Sequence, residues 1–329
     1  MSQTVTFSLG FIGGMIISLI LVSQLCLKDR KLINRYTINN GDIHSKTETS
    51  ALTNSGAKKD NPVVTDSEAA KRKKARVLCW VMTSPKTLNV KAVHVRNTWA
   101  RRCDVVLFIS SKTDAKFPAV GLNVLEGREH LTSKTMKAFE YIYNRHFDDA
   151  DWFMKADDDT YVILENLRHF LETKSSDEPV YFGHHFKTLV KQGYYSGGAG
   201  YVLSKEALRR LAAKGKDPKV CRQDGGYEDV EIGKCMERLG VKTVNDADSM
   251  GRSRFHVFEP EKHLFGRYED WFYLYDSNGA KKGTKSISHY PISFHYVPPE
   301  KMYILEFYIY HLRRYGMELG YEELNIPFR

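Results

Sequence analysis

The chemistry of this chain is most legible at Asp157-Asp158-Asp159. Three successive carboxylates repel one another at neutral pH, so the run is unfavourable unless a cation neutralises it. Carboxylate oxygens are hard ligands suited to Mg²⁺ or Mn²⁺. A cation held there can bridge a diphosphate and stabilise its charge as it leaves. An acidic run alone is equally a solvated turn. Here Trp152-Phe153-Met154-Lys155-Ala156 precedes it and Thr160-Tyr161-Val162 follows, which ties it to the end of a buried strand. Glu228-Asp229 is a second acidic site. Acids suit the first turn of a helix through its dipole. Group transfer to a hydroxyl also needs a carboxylate to take the proton, and Asp229, after Asp224-Gly225-Gly226, is the candidate base. His295 lies in an alternating segment, where it is either a satisfied structural residue or a third ligand for Mn²⁺ beside two carboxylates. Arg128, in Glu126-Gly127-Arg128, either contacts phosphate or lies on the surface.

These residues need elements to hold them. Val77 to Met82 reads as a short buried strand ended by Thr83-Ser84-Pro85. Leu88 to Arg101 has apolar residues at helical spacing, and Val105 to Ile109 is a second strand. Thr132 to Phe147 reads as a helix, Trp152 to Lys155 as a third strand running into the acidic triplet, and Ile163 to Leu171 as a helix. This alternation predicts an α/β fold, a mostly parallel sheet with helices on both faces. Ligands of such sheets bind beyond the carboxyl ends of the strands, where the triplet lies. Further on, Val180 to Phe182 and Tyr201 to Leu203 read as strands, the latter after Gly197-Gly198-Ala199-Gly200. Ser204 is placed to cap a helix, with Glu206 in its first turn. Glu228 to Leu239 is another helix, Ile292 to Val297 alternates like a strand, and Lys301 to Arg314 reads as an apolar-aromatic helix. The aromatic run Trp271, Phe272, Tyr273 and Tyr275 is either a sugar-stacking surface or the edge of a core.

Composition is that of a globular protein, with 42% hydrophobic and 27% charged residues and a net charge of +9. The sequence carries no zinc-finger spacing or RNA-binding signature, so nucleic acid is not the expected partner. Lys71-Arg72-Lys73-Lys74 reads as the end of a solvated linker. Val5 to Leu27 is uncharged and long enough for a bilayer-spanning helix. Its start lacks Lys and Arg and no Ala-x-Ala follows, which favours a retained anchor over a cleaved signal peptide. Residues 28–75, polar and with Tyr36 their lone aromatic, read as a flexible stem. Lys28, Arg30 and Lys31 would by themselves place that side in the cytosol, although large domains translocate largely regardless of charge. Outside the span stand Cys79, Cys103, Cys221 and Cys235, which allow three pairings. An oxidising lumen would favour two disulfides. We expect Cys79–Cys103, tying the starts of neighbouring strands, and Cys221–Cys235, closing a short loop; four buried free thiols are the alternative.

From about Arg76 to Tyr315 the sequence closely resembles the core 1 β1,3-galactosyltransferases of glycosyltransferase family 31. The matching stretches are Cys79-Trp80-Val81-Met82-Thr83, Phe117-Pro118-Ala119-Val120-Gly121-Leu122, Asp151 to Val162, Ser196 to Leu208, Glu228-Asp229 and Ser293-Phe294-His295-Tyr296-Val297. The resemblance implies a GT-A-type, Rossmann-like fold over 76–329 behind a cytoplasmic tail (1–4), a signal anchor (5–27) and a luminal stem. It implies a single-pass type II protein of the Golgi membrane, often homodimeric. The activity implied is inverting transfer of galactose from UDP-galactose to O3 of N-acetylgalactosamine on Ser or Thr of glycoproteins, usually with Mn²⁺. Carried over residue by residue, Asp157, Asp159 and His295 resemble the metal site and Asp229 the base. Met82, Glu126, Gly127, Arg128 and Lys134 resemble the nucleotide's surroundings, with Asp157, Asp158 and Tyr296 beside it, and Trp271 borders the acceptor. The sequence departs from the family at Asp276 to Gly283, where relatives carry a Cys-Cys pair, and at Trp271 to Tyr275. Other readings are a family member with another donor or acceptor, a sugar-binding paralogue and a chaperone; the family's chaperone lacks the acidic triplet.

Overall fold

The central strands of the chain are buried on both sides, and this decides the architecture. In chain order the elements are β1 (Val77–Met82), α1 (Val93–Asn97), β2 (Val105–Ser110), β3 (Ala119–Gly121), α2 (Leu131–His146), β4 (Trp152–Asp157), β5 (Tyr161–Val162), α3 (Leu164–Leu171), β6 (Val180–Gly183), β7 (His185–Phe186), β8 (Tyr194–Tyr195), β9 (Tyr201–Ser204), α4 (Lys205–Lys214), α5 (Glu228–Arg238), β10 (Lys242–Thr243), β11 (Phe255–His256), α6 (Pro260–Phe265), α7 (Asp270–Tyr275), β12 (Ser293–Phe294) and α8 (Pro299–Glu306). This is a computed structural model, and it describes residues 74–313 and residue 315. The expected anchor at 5–27 and nearly all of the stem lie outside the described residues. Among the described residues no helix is long and apolar enough to cross a membrane.

The main sheet has the order β10-β6-β9-β4-β1-β2-β3. β9 runs antiparallel to β4 and β6, and every other pairing is parallel. Along β1, Val77, Cys79 and Val81 face one core, while Leu78, Trp80 and Met82 face another. The first core is closed by apolar residues of α1, α3 and α8, the second by α2, α4 and α5. Helices on both faces are the arrangement that continuously apolar strands require. The chain builds β1, β2 and β3 outward, then returns to lay β4 on the other side of β1. That reversal opens a crevice at the carboxyl ends of β1 and β4, with Met82 opposite Asp157. Both expected disulfides form, Cys79–Cys103 with Cα atoms 6.1 Å apart and Cys221–Cys235 at 4.7 Å.

Three expected elements differ in form. The helix over Leu88 to Arg101 is broken into a π-turn at Leu88–Ala92, α1, and a 3₁₀ turn at Trp99–Arg102. Thr98 makes the break: its hydroxyl bonds back to the carbonyl of His94 at 2.7 Å. The bend sends the Trp99 indole N–H to the carbonyl of Thr160 at 2.8 Å, directly beneath the acidic turn. The strand expected over Ile292 to Val297 shrinks to Ser293–Phe294, because Tyr296 adopts a left-handed φ of 55°. The helix expected over Lys301 to Arg314 is α8 followed by a π-turn at Phe307–His311. Ser204 caps α4 as expected, accepting the Ala207 N–H at 3.0 Å.

Candidate active site and metal centre

A small second sheet assembles the acidic turn with His295. β5 begins just after the turn and pairs antiparallel with β12, so Phe294 lies opposite Tyr161. His295 therefore follows β12 beside the turn, and the Val297 N–H donates to the Asp159 carbonyl at 2.9 Å. The turn is locked from inside by Thr160. Its hydroxyl accepts the Asp157 N–H at 3.1 Å and donates to the carbonyl of Gly198 at 2.7 Å. Gly198 allows the close approach, because a Cβ there would lie 2.0 Å from the His295 ring.

One nitrogen or oxygen each from Asp157, Asp159 and His295 converge within 4.8 Å of one another, a group that could hold a metal ion. Hard oxygens with one imidazole nitrogen suit Mn²⁺ or a similar divalent ion. His295 Nε2 lies 3.2 Å from Asp159 Oδ1 and 4.0 Å from Asp157 Oδ2. Its buried Nδ1 has no hydrogen-bond partner among the described residues. Burial pushes the Asp159 carboxyl up, but His295 and Lys91 outweigh it and hold the group well below the usual carboxylate range. Asp158 has a different role. Its carboxylate accepts the Thr83 hydroxyl at 2.8 Å, and burial raises it above the usual range. The structure thus separates the triplet into two residues aimed at His295 and one bound back to the end of β1.

Asp229 sits in the first turn of α5. Its Oδ2 accepts the Gly197 N–H at 3.3 Å and its Oδ1 accepts the Val230 N–H at 2.9 Å. Burial raises this carboxyl despite those donors, which makes it a stronger base than a free aspartate. Its neighbour Glu228 turns inward, accepting the Thr135 and Tyr201 hydroxyls, each at 2.8 Å, and burial raises it too. Glu228 and Asp229, adjacent in sequence, therefore face a core network and the site respectively.

The other expected residues fall in two groups. Lys134 is buried and donates to the Thr83 carbonyl at 3.0 Å and to both Glu126 oxygens at 3.0 and 2.8 Å. Burial would raise the Glu126 carboxyl, but Lys134 and Ser111 bring it below its usual value. Met82, Glu126 and Lys134 thus gather at the crevice. Gly127, at φ 132°, and Arg128 stand exposed on the segment that starts the next 3₁₀ turn. Tyr296 stacks on His295 with ring centroids 3.9 Å apart, an outcome of its left-handed backbone. It shares a groove of about 530 Å³ with Trp271, Phe258, Lys262 and Glu269. The aromatic run divides by helical geometry: Phe272 is buried, while Trp271, Tyr273 and Leu274 are exposed.

A family model described as Fringe-like matches residues 73–253. The chain belongs to the Fringe-like family of glycosyltransferases. Over 254 residues, 76% of this chain and 70% of the relative, it is 48% identical to glycoprotein-N-acetylgalactosamine 3-beta-galactosyltransferase 1 of Xenopus laevis. A beta-1,3-glucosyltransferase of Homo sapiens is 30% identical over 176 residues, which are 53% of this chain and 35% of that protein. Among solved structures, a galactosyltransferase, LgtC, in complex with donor and acceptor sugar analogs is similar at a TM-score of 0.38 and 9% identity, over 72% of this chain and 97% of that one.

This Fringe-like transferase also places residues at the site that the sequence reading did not single out. Lys155 is buried and donates to Asp157 Oδ1 at 2.6 Å and to the Gly197 carbonyl at 2.8 Å. Burial pulls its ammonium down, yet Asp157, Glu228 and Asp229 outweigh that and raise it above the usual lysine value. The signal was present: residues two apart in a strand share a face, so Lys155 had to accompany Asp157. Lys91, which meets Asp159 Oδ2 at 3.0 Å, gave no such signal, being separated from it by 68 positions.

Proposed function

We propose that this transferase is GT-A-type and moves galactose from UDP-galactose to O3 of N-acetylgalactosamine on Ser or Thr of glycoproteins, with inversion and with Mn²⁺. The observation that carries the reading is the convergence of Asp157, Asp159 and His295, one glycine turn from the half-buried carboxylate of Asp229. The 48% identity to a 3-beta-galactosyltransferase supports the choice of donor and acceptor. Asp157, Asp159 and His295 would hold Mn²⁺, which supplies positive charge against the diphosphate of the leaving UDP. Asp229 takes the proton from the acceptor hydroxyl as its oxygen bonds to the anomeric carbon and the bond to UDP breaks. This is one displacement, and it inverts the centre. Lys134 and Glu126, locked together over the end of β1, shape the nucleotide site with Met82, Asp158, Gly127, Arg128 and Tyr296. The groove with Tyr296 and Trp271 suits a sugar, because aromatic faces stack on its apolar C–H surface while Lys262 and Glu269 meet hydroxyls.

The same reading places the protein in the Golgi membrane as a single-pass type II protein, anchored by Val5 to Leu27. The two disulfides support an oxidising compartment. A homodimer, the assembly the resemblance implies, belongs to this reading. A second acceptor class is favoured by one observation. Asp276 to Gly283 carries no cysteine; instead Asp276 accepts the N–H groups of Asn278 and Ala280 at 3.2 and 2.5 Å, which gives the acceptor side a different build. The test offers the full chain a panel of UDP-sugars with Mn²⁺ and either a GalNAc-bearing peptide or other β-linked acceptors. Galactose transfer to the peptide supports the first reading. Transfer only to another acceptor supports the second, and use of a different donor alone overturns the galactosyl assignment.

A further inference from the structure

The two metal-facing carboxylates are each held by a lysine from behind. Asp157 gives Oδ1 to Lys155 and turns Oδ2 toward His295. Asp159 gives Oδ2 to Lys91 and turns Oδ1 toward His295. In both, one oxygen is engaged and the other is left for a cation. The lysines differ in freedom. The side chain of Lys91 is 39% exposed and can swing into water, whereas that of Lys155 is 2% exposed and cannot. Lys155 also reaches further. Its second bond goes to the Gly197 carbonyl, and the N–H of the same glycine holds Asp229. A Cβ on Gly197 would lie 2.7 Å from Glu228 and 3.4 Å from the Lys155 nitrogen, so turn, lysine and acids are packed in contact.

We propose that Lys155 is a positioning residue for the transfer reaction: its ammonium fixes Asp157 with one oxygen free for a divalent cation and, through the Gly197 peptide, fixes the carboxylate of Asp229. The inference rests on the metal-dependent transfer reading above. It means that one buried side chain joins the metal site to the base. A change at Lys155 disturbs both, while a change at Lys91 touches the Asp159 side alone.

The test measures Mn²⁺ binding by the paramagnetic resonance signal of free Mn²⁺, with no sugar nucleotide present, on the full chain. Lys155→Met is expected to weaken Mn²⁺ binding tenfold or more. Lys91→Met is expected to leave it unchanged or tighten it, because a competing cation is removed. Adding Lys155→Met to Asp157→Asn should cause no further loss, which a merely structural effect would not reproduce. Removing a buried ammonium alone leaves carboxylates uncompensated, so a charge-balanced Lys155→Met/Glu228→Gln variant is measured beside it. At saturating Mn²⁺ and donor, both Lys155 variants should still show a kcat lowered tenfold or more, through Asp229. A folded Lys155 variant that binds Mn²⁺ within twofold of wild type overturns the proposal. Absence of Mn²⁺ binding by the wild type overturns it together with the metal reading. Normal wild-type Mn²⁺ binding without sugar transfer sinks only the transfer reading, and the comparison of variants still decides the metal arm.

Discussion

Glu306 offers the sharpest structural perturbation. It ends α8, is fully buried, and accepts the Tyr161 hydroxyl at 2.7 Å, Arg102 at 2.5 and 3.1 Å, and Arg101 at 3.2 Å. Tyr161 stands two positions after Asp159, so this carboxylate ties α8 to the base of the acidic turn. Glu306→Ala leaves the Arg102 guanidinium, itself only 12% exposed, without its main partner. Removing one member of a buried ion pair costs about 3–5 kcal/mol. Glu165 lies 3.9 Å from the Arg102 Nε and compensates part of the loss, which places the expectation near the lower figure. For a domain of this size each kcal/mol shifts Tm by roughly 2–4 °C, so the melting temperature should fall by roughly 6–12 °C. Glu306→Gln keeps the volume and an acceptor for Tyr161 but turns an NH₂ toward a guanidinium, so its fall should be smaller than that of the alanine variant. Thermal melting followed by near-ultraviolet circular dichroism reads both. A Glu306→Ala protein melting within about 2 °C of wild type, on the same scale, would refute the assignment of this network as a principal tie.

Other outcomes follow from the same geometry. Gly198→Ala sets a methyl against the His295 ring, so Mn²⁺ binding should weaken tenfold or more while the far-ultraviolet spectrum is unchanged; titration with Mn²⁺ checks it. Replacing Cys221 and Cys235 by serine opens a loop of 14 positions, and urea unfolding should show a loss of about 3 kcal/mol. The Asp246 carboxyl is pushed up to about 6 by burial, against 3.8 for a free side chain. The folded state then binds its proton more tightly than the unfolded state. This contribution is complete below pH 4 and is lost as pH rises through 6. Asp246→Asn should therefore gain up to about 3 kcal/mol on wild type between pH 4 and pH 7, read from urea midpoints across that range.

Much of this arrangement was open to reading from the residues because its causes are local. β1 is an unbroken apolar run and β4 opens on Trp152-Phe153-Met154, so both belong at the centre of a sheet, and the triplet at the end of β4 marks the crevice. Ser204 announced its helix through a side chain that caps it. Disulfide partners followed from strand proximity and loop length. The misread elements depend on partners far along the chain. Thr98 breaks a helix whose apolar spacing is intact, because Trp99 must reach Thr160. Tyr296 leaves a pattern that alternates like a strand, at a backbone cost of about 1–2 kcal/mol, because His295 must face the turn. Lys155 was recoverable from strand alternation, whereas Lys91 meets Asp159 only through the tertiary fold.

The most direct test of the central claim compares wild type with Asp229→Asn in the full chain, measuring Mn²⁺-dependent UDP binding and galactose transfer to a GalNAc-bearing peptide side by side. The account predicts unchanged UDP binding with transfer slowed by about 10²–10⁴-fold, the usual contribution of a general base. Transfer at the wild-type rate by Asp229→Asn would contradict it.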